Sequence, residues 1–171
     1  MNLEAYIHSI KDWPKKGITF KDISPLLSSP KAFQLSIKGM SDLIESKEVM
    51  VAGIDARGFI FASAIAQNLG LGILLLRKSG KLPPPKVSFQ YELEYGSDEL
   101  ETKQAPKKDS EIVLVDDILA TGGTISAACD LCLKAGYTVK QAVVLIDLVK
   151  IHPESFILSN GLKVDSLIKL G

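Results

Sequence analysis

The stretch Ile112–Thr124 reads IVLVDDILATGGT, and its residue types in that order suit a phosphorylated sugar. Asp116 and Asp117 are adjacent acids, followed by Ala120, Thr121, Gly122, Gly123 and Thr124. The paired glycines let the backbone come close to a ligand. Free N–H groups of the loop and of a helical turn after it would point at that ligand. Thr121 and Thr124 add hydroxyl donors, and a helix N-terminus favours an anion. The string lacks the Lys-Ser/Thr of a Walker loop and the GxGxxG spacing, so it is neither common nucleotide loop. Two carboxylates beside a phosphate would repel it, unless they accept from ribose hydroxyls or face a bridging cation.

Such a cradle belongs at the carboxyl end of a strand in an open α/β sheet. Met50–Ile54, Gly72–Leu76, Ile112–Val115 and Ala142–Ile146 are short, dense apolar runs that read as buried parallel strands, the third ending at the acid pair. Ser29-Pro30 reads as a helix start, and Phe33, Ile37, Met40 and Ile44 form one apolar stripe after it. Residues Gly58–Leu69 are apolar nearly all round and stop at Gly70, which predicts a deeply buried helix. Gly123–Lys134 forms a third helix, closed by Gly136. The alternation predicts an α/β fold with a mostly parallel central sheet flanked by helices. Lys78–Glu101 breaks the rhythm. It holds Pro83, Pro84 and Pro85, then an alternating run from Phe89 to Tyr95 that reads as an exposed ribbon, and the acids Asp98–Glu101 read as a solvated face. Loops that long in compact domains are usually lids, binding loops or disordered segments.

The 171 residues, 46% apolar and 23% charged, fit one globular domain spanning 1–171. Lys+Arg and Asp+Glu both number 20, which argues against a nucleic-acid module but leaves a local phosphate pocket open. Cys129 and Cys132 form a CxxC, yet zinc needs about four ligands and His8 and His152 stand apart. Core packing is the expected role of both thiols. The N-terminus lacks the pattern of a signal peptide, and no apolar run approaches the ~18 residues of a membrane span. A cytoplasmic chain with neither nucleic acid nor membrane as partner is expected.

The Ile112–Thr124 string resembles the phosphoribosyl pyrophosphate motif of the type I phosphoribosyltransferases. Thr19–Pro25 (TFKDISP), Ala52–Phe59 (AGIDARGF), Arg77–Pro83 (RKSGKLP) and Leu93–Glu99 (LEYGSDE) are similar to segments of that family's adenine-using members, in the family's order. The resemblance implies transfer of the 5-phosphoribosyl group from phosphoribosyl pyrophosphate to adenine, giving AMP and pyrophosphate in purine salvage. It implies Mg²⁺ held mainly by substrate and water, with Asp116 and Asp117 near it or at the ribose hydroxyls, and a homodimer. Ala120–Thr124 would then hold the 5′-phosphate. Asp55, Ala56, Arg57 and Gly58, with Arg77, Lys78 and Lys81, would meet the sugar pyrophosphate. Phe20 would stack on adenine, with backbone groups of Thr19 and Lys21 reading its edge and Leu148 beside it. Arg57 and Lys81 would neutralise the leaving group, Glu94 would accept the proton that adenine sheds, and Tyr95 would hold the closed geometry. A small N-terminal hood, mainly residues 1–30, and a flexible catalytic lid loop, residues 78–101, complete the implied architecture. A cis peptide at Asp55–Ala56 is implied as well.

The chain departs from the family pattern where Ala56 replaces Ser, Lys21 replaces Arg and Pro84 replaces Gly. None of these touches the acid pair or the cradle. One alternative is a non-catalytic regulator that binds the same sugar pyrophosphate, but such proteins carry an added DNA-binding domain, and this chain has no basic excess. A sister transferase for guanine, xanthine or orotate would share the cradle but not TFKDISP together with LEYG.

Overall fold

Val, Ile and Leu crowd the central strands because both faces of the sheet are covered, so neither face of those strands meets water. The computed structural model describes residues 2–46, 48–93, 96–154 and 156–171. Its elements begin with β1 (His8–Lys11) and β2 (Thr19–Asp22), an antiparallel pair forming its own small sheet. There follow α1 (Ser24–Ser28), α2 (Pro30–Leu43), β3 (Met50–Ile54), α3 (Gly58–Leu69) and β4 (Ile73–Lys78). Next come β5 (Val87–Leu93), β6 (Gly96–Thr102), β7 (Ser110–Leu119), α4 (Gly123–Lys134), β8 (Tyr137–Leu148) and β9 (Val164–Leu170).

The main sheet has the order β5-β6-β4-β3-β7-β8-β9. Strands β4, β3, β7, β8 and β9 are parallel, while β6 runs antiparallel to both β4 and β5. Period-two alternation divides the core. Val51, Val113, Val115 and Val143 face Phe61, Ile65, Met40 and Ile37 of α3 and α2. Ala52, Leu114 and Val144 face Cys129, Leu131 and Cys132 of α4. Both thiols are free and buried there, and burial pushes Cys132 far up from its ordinary value. Ser29 caps α2 by accepting from the Ala32 N–H at 3.3 Å, with Pro30 in the first position.

Four expectations need correction. Helix α3 is not buried all round: Ile60 is exposed, and the buried face is Gly58, Phe61, Ala62, Ile65 and Ala66. Strand β7 does not end at the acids. It runs on to Leu119, because β8 continues to pair with it, Asp116 opposite Val144 and Leu119 opposite Asp147. The acid-rich run is not a solvated face, and the ribbon is not a free excursion. It is the edge of the main sheet, with Tyr91 and Leu100 in the α4-side core. Glu101 is only 1% exposed. It forms an ion pair with Lys86 and accepts from the Gly80 N–H at 3.1 Å, while Asp98 pairs with Lys78.

Candidate active site

The carboxyl ends of β3 and β7 open into one cavity of about 290 Å³. Asp55, Ala56, Arg57 and Lys78 wall one side, and Asp116, Asp117 and the Ala120–Thr124 loop the other. Gly122 sits at φ +89° and is the N-cap of α4, with no side-chain cap bond. The first-turn N–H groups of α4 are therefore left to an incoming anion. Arg57 stands at the N-cap of α3, just after the Asp55–Ala56 bond, which is cis as the resemblance implies.

The acids are held in unequal settings. Asp116 Oδ1 accepts from the Asp117 N–H at 2.9 Å. Burial and the neighbouring Asp117 carboxylate push the Asp116 carboxyl well above its usual range. Burial also raises Asp117, and the Arg57 guanidinium opposes that rise. Arg57 Nη2 lies 2.8 Å from Asp117 Oδ2, but that buried oxygen receives no aligned hydrogen bond. The contact is a charge pairing, and the oxygen keeps an open lone pair.

Asp55 gathers the cations. Its Oδ2 lies 3.3 Å from Arg77 Nε and 3.4 Å from Lys81 Nζ, and accepts from the Lys78 N–H at 3.3 Å. Burial works to raise this carboxyl, but the Lys78 N–H, Arg77 and Lys81 together hold it below its usual range. Arg77 and Lys81 thus approach the cavity through Asp55 and are not part of its wall. Gly58 is not in the wall either. A Cβ there would stand 2.9 Å from both Asp116 Oδ1 and the Val115 carbonyl, so glycine lets α3 rest directly on β7.

A second cavity, about 610 Å³, adjoins the first and shares Arg57, Ile118, Ala120 and Thr121 with it. Thr19, Phe20 and Lys21 of β2 line it, with Leu148 at the end of β8. Trp13 packs edge-on against Phe20 with ring centroids 4.6 Å apart, and Arg57 Cζ lies 5.1 Å from the Phe20 centroid. Arg57 Nη1 also donates to the Lys21 carbonyl at 3.3 Å. The structure therefore gathers the residues from TFKDISP, AGIDARGF and the cradle at one pair of cavities. Glu94 and Tyr95 lie outside the described residues. Sequence reasoning missed Ile118, Ile151 and Leu170 as lining, and Trp13 as the partner of Phe20. An apolar residue in a strand or loop carries no mark of facing a cavity.

Residues 22–168 match the phosphoribosyl transferase domain. The adenine phosphoribosyltransferase of Mycoplasmopsis synoviae is 46% identical over 170 residues, covering 99% of each chain. The crystal structure of the Thermoanaerobacter pseudethanolicus adenine phosphoribosyltransferase has a TM-score of 0.90 at 40% identity, covering 98% of both chains. That of the Saccharomyces cerevisiae enzyme, complexed with an imino-altritol bisphosphate and adenine, has a TM-score of 0.84 at 31% identity and 96% coverage of each. The chain belongs to the phosphoribosyltransferase family, in its adenine phosphoribosyltransferase branch.

Proposed function

We propose that the chain transfers the 5-phosphoribosyl group from phosphoribosyl pyrophosphate to adenine, releasing pyrophosphate and forming AMP. One observation carries this reading. An anion cradle with an acid pair and a cavity lined by an aromatic ring share a wall, so sugar and base would meet there. The bond from the anomeric carbon to pyrophosphate breaks as a ring nitrogen of adenine bonds to that carbon. Ala120–Thr124 hold the 5′-phosphate, and Asp116 and Asp117 accept from the ribose hydroxyls. Arg57, with Lys78 and Lys81, compensates the charge of the departing pyrophosphate, Arg57 being suited by its forked donors. Phe20 stacks on the base between backbone groups of Thr19 and Lys21, with Leu148 on the other side. Adenine presents an amine donor and a ring-nitrogen acceptor; hypoxanthine reverses that polarity and is discriminated against. Glu94 takes the adenine proton, and Tyr95 steadies the lid.

Among the described residues, no cluster of His, Cys, Asp or Glu could hold a metal ion by itself. Asp117 Oδ2, which receives no aligned hydrogen bond, and the neighbouring Asp116 fit a hydrated Mg²⁺ carried in mainly by the substrate's oxygens. When bound, that ion would neutralise the leaving pyrophosphate. Residues 1–30 serve as hood and 78–101 as lid in this reading. A homodimer belongs to it too. Ile73 and Leu75, on one face of β4 by period-two alternation, are 41% and 38% exposed, an apolar pair that a second copy would cover. No helix among the described residues is long and apolar enough to cross a membrane, and the free, buried cysteines suit a reducing cytoplasm. The test is incubation with Mg²⁺, phosphoribosyl pyrophosphate and each purine or orotate in turn. Nucleotide should form with adenine; no turnover, or preference for another base, overturns the reading.

A further inference from the structure

Phe156 lies directly on the phosphate loop. A Cβ built on Gly122 would stand 2.2 Å from Cε2 and 2.4 Å from Cζ of that ring, so the ring lies against the loop at Gly122 with no space for a side chain there. This matters because α4 has no side-chain cap, so the packing of Phe156 on Gly122 is a constraint on the loop from outside it. Phe156 belongs to the segment that follows β8. Its N–H donates to the Pro153 carbonyl at 2.9 Å, and its ring lies 5.4 Å from that of His152. His152 in turn has Nε2 2.6 Å from Asp147 Oδ1 and Nδ1 3.1 Å from the Pro153 carbonyl. Both ring nitrogens face acceptors, and only the imidazolium can donate from both.

The side chains of His152 and Asp147 are 8% and 10% exposed. Asp147, at the end of β8, is the charged group facing the ring. It is the chief cause that holds His152 above its ordinary value, and the Pro153 carbonyl adds to it against burial. Lys150 and Glu154 flank the ring two residues to either side in the same segment. The Gly122 loop and Phe156 bring no titratable group.

We propose that His152 is a positioning residue: held by Asp147, it sets Phe156 against Gly122 and so shapes the loop that receives the 5′-phosphate. The inference rests on reading Ala120–Thr124 as the 5′-phosphate site. A folded-state value raised above the unfolded one means the His152 contribution is complete below about pH 6.5, the ordinary histidine value, and is lost as pH rises through the raised one.

Calorimetric binding of AMP and of pyrophosphate, each with Mg²⁺, separates the two anion sites. His152→Gln and Phe156→Leu should weaken AMP roughly 10-fold to 100-fold, the scale of a small misplacement of a positioning group. Pyrophosphate, held by the Asp55–Arg57 loop, should bind as in the parent chain. The AMP advantage of the parent over His152→Gln should shrink as pH rises through the raised His152 value. Phe156→Leu carries the test if His152→Gln does not fold. Unchanged AMP binding in the variants, equal loss for both ligands, or an advantage constant with pH overturns the inference. A parent chain that does not bind AMP overturns the proposed function instead, and this inference with it.

Discussion

Arg57 and Asp117 are paired across the shared wall of two cavities, Nη2 standing 2.8 Å from Oδ2. The same guanidinium reaches the Lys21 carbonyl and the Phe20 ring. It therefore links the strand that would read the base to the acid that would face the ribose. Arg57→Ala should raise KM for both substrates and lower kcat by about 10²–10³-fold, as loss of a preorganised charge donor does. Steady-state kinetics with each substrate varied will check this; an effect on phosphoribosyl pyrophosphate alone would contradict the linkage.

Asp116→Asn should trade activity for stability. Burial and Asp117 raise the Asp116 carboxyl, so ionising it opposes folding. The opposition is absent below the unfolded value near pH 4 and complete above the raised one. The Asn variant should therefore melt higher than the parent near neutral pH, each kcal/mol being worth about 2–4 °C in a domain of this size. The gap should close in acid. Thermal melts of both chains across pH give the answer, and activity should fall sharply throughout.

Glu101 fastens the start of the lid. Lys86 is the leading cause of its lowered value, followed by the Gly80 N–H. A lowered carboxylate contributes above the ordinary glutamate value and loses that contribution as pH falls through the lowered one. Glu101→Gln should expose residues 79–86 to trypsin at Lys81 and Lys86 at neutral pH, where the parent resists. Equal digestion of both chains would mean that Glu101 does not hold the loop.

Glu94→Gln should lower kcat by about 10²–10⁴-fold, the usual worth of a positioned general base, with little change in phosphoribosyl pyrophosphate binding. Glu92, exposed on β5, is the control. Equal losses from Glu92→Gln would signal a charge effect of the ribbon rather than proton transfer.

Ile73→Glu should convert a dimer to monomers at micromolar concentration, measured by sedimentation, because it places a charge in the exposed apolar pair it forms with Leu75. A parent chain that sediments as a monomer would refute the assembly outright.

What was legible in the sequence was whatever local chemistry dictates. Strand β3 and helix α4 match their expected bounds because an unbroken apolar run and a glycine-framed amphipathic segment need no distant partner to be recognised. The cavity walls contributed by the cradle were legible for the same reason. Burial that depends on a distant partner was not. Glu101 reads as one acid among several, and it is Lys86, Ser79 and the Gly80 N–H, distant in sequence, that make it a buried residue. Ile60 reads as core because its neighbours are apolar, yet α3 leaves it facing outward past the edge of its own sheet contact. The tie from His152 to Gly122 through Phe156 was invisible, since three residue types of ordinary occurrence meet only after β8 returns beside β7.

At Gly58 the helix that follows Arg57 rests against the Val115 carbonyl and the Asp116 carboxylate of β7, with no room for a side chain of its own. The separation of the Asp55–Arg57 turn from the Asp116 strand end is thus set by van der Waals contact at a glycine, and any larger residue at position 58 would push the two apart. Diversification of such a scaffold towards other nucleobases would have to proceed at β2, at Leu148 and at the lid, leaving the sugar-pyrophosphate half as an unalterable gauge.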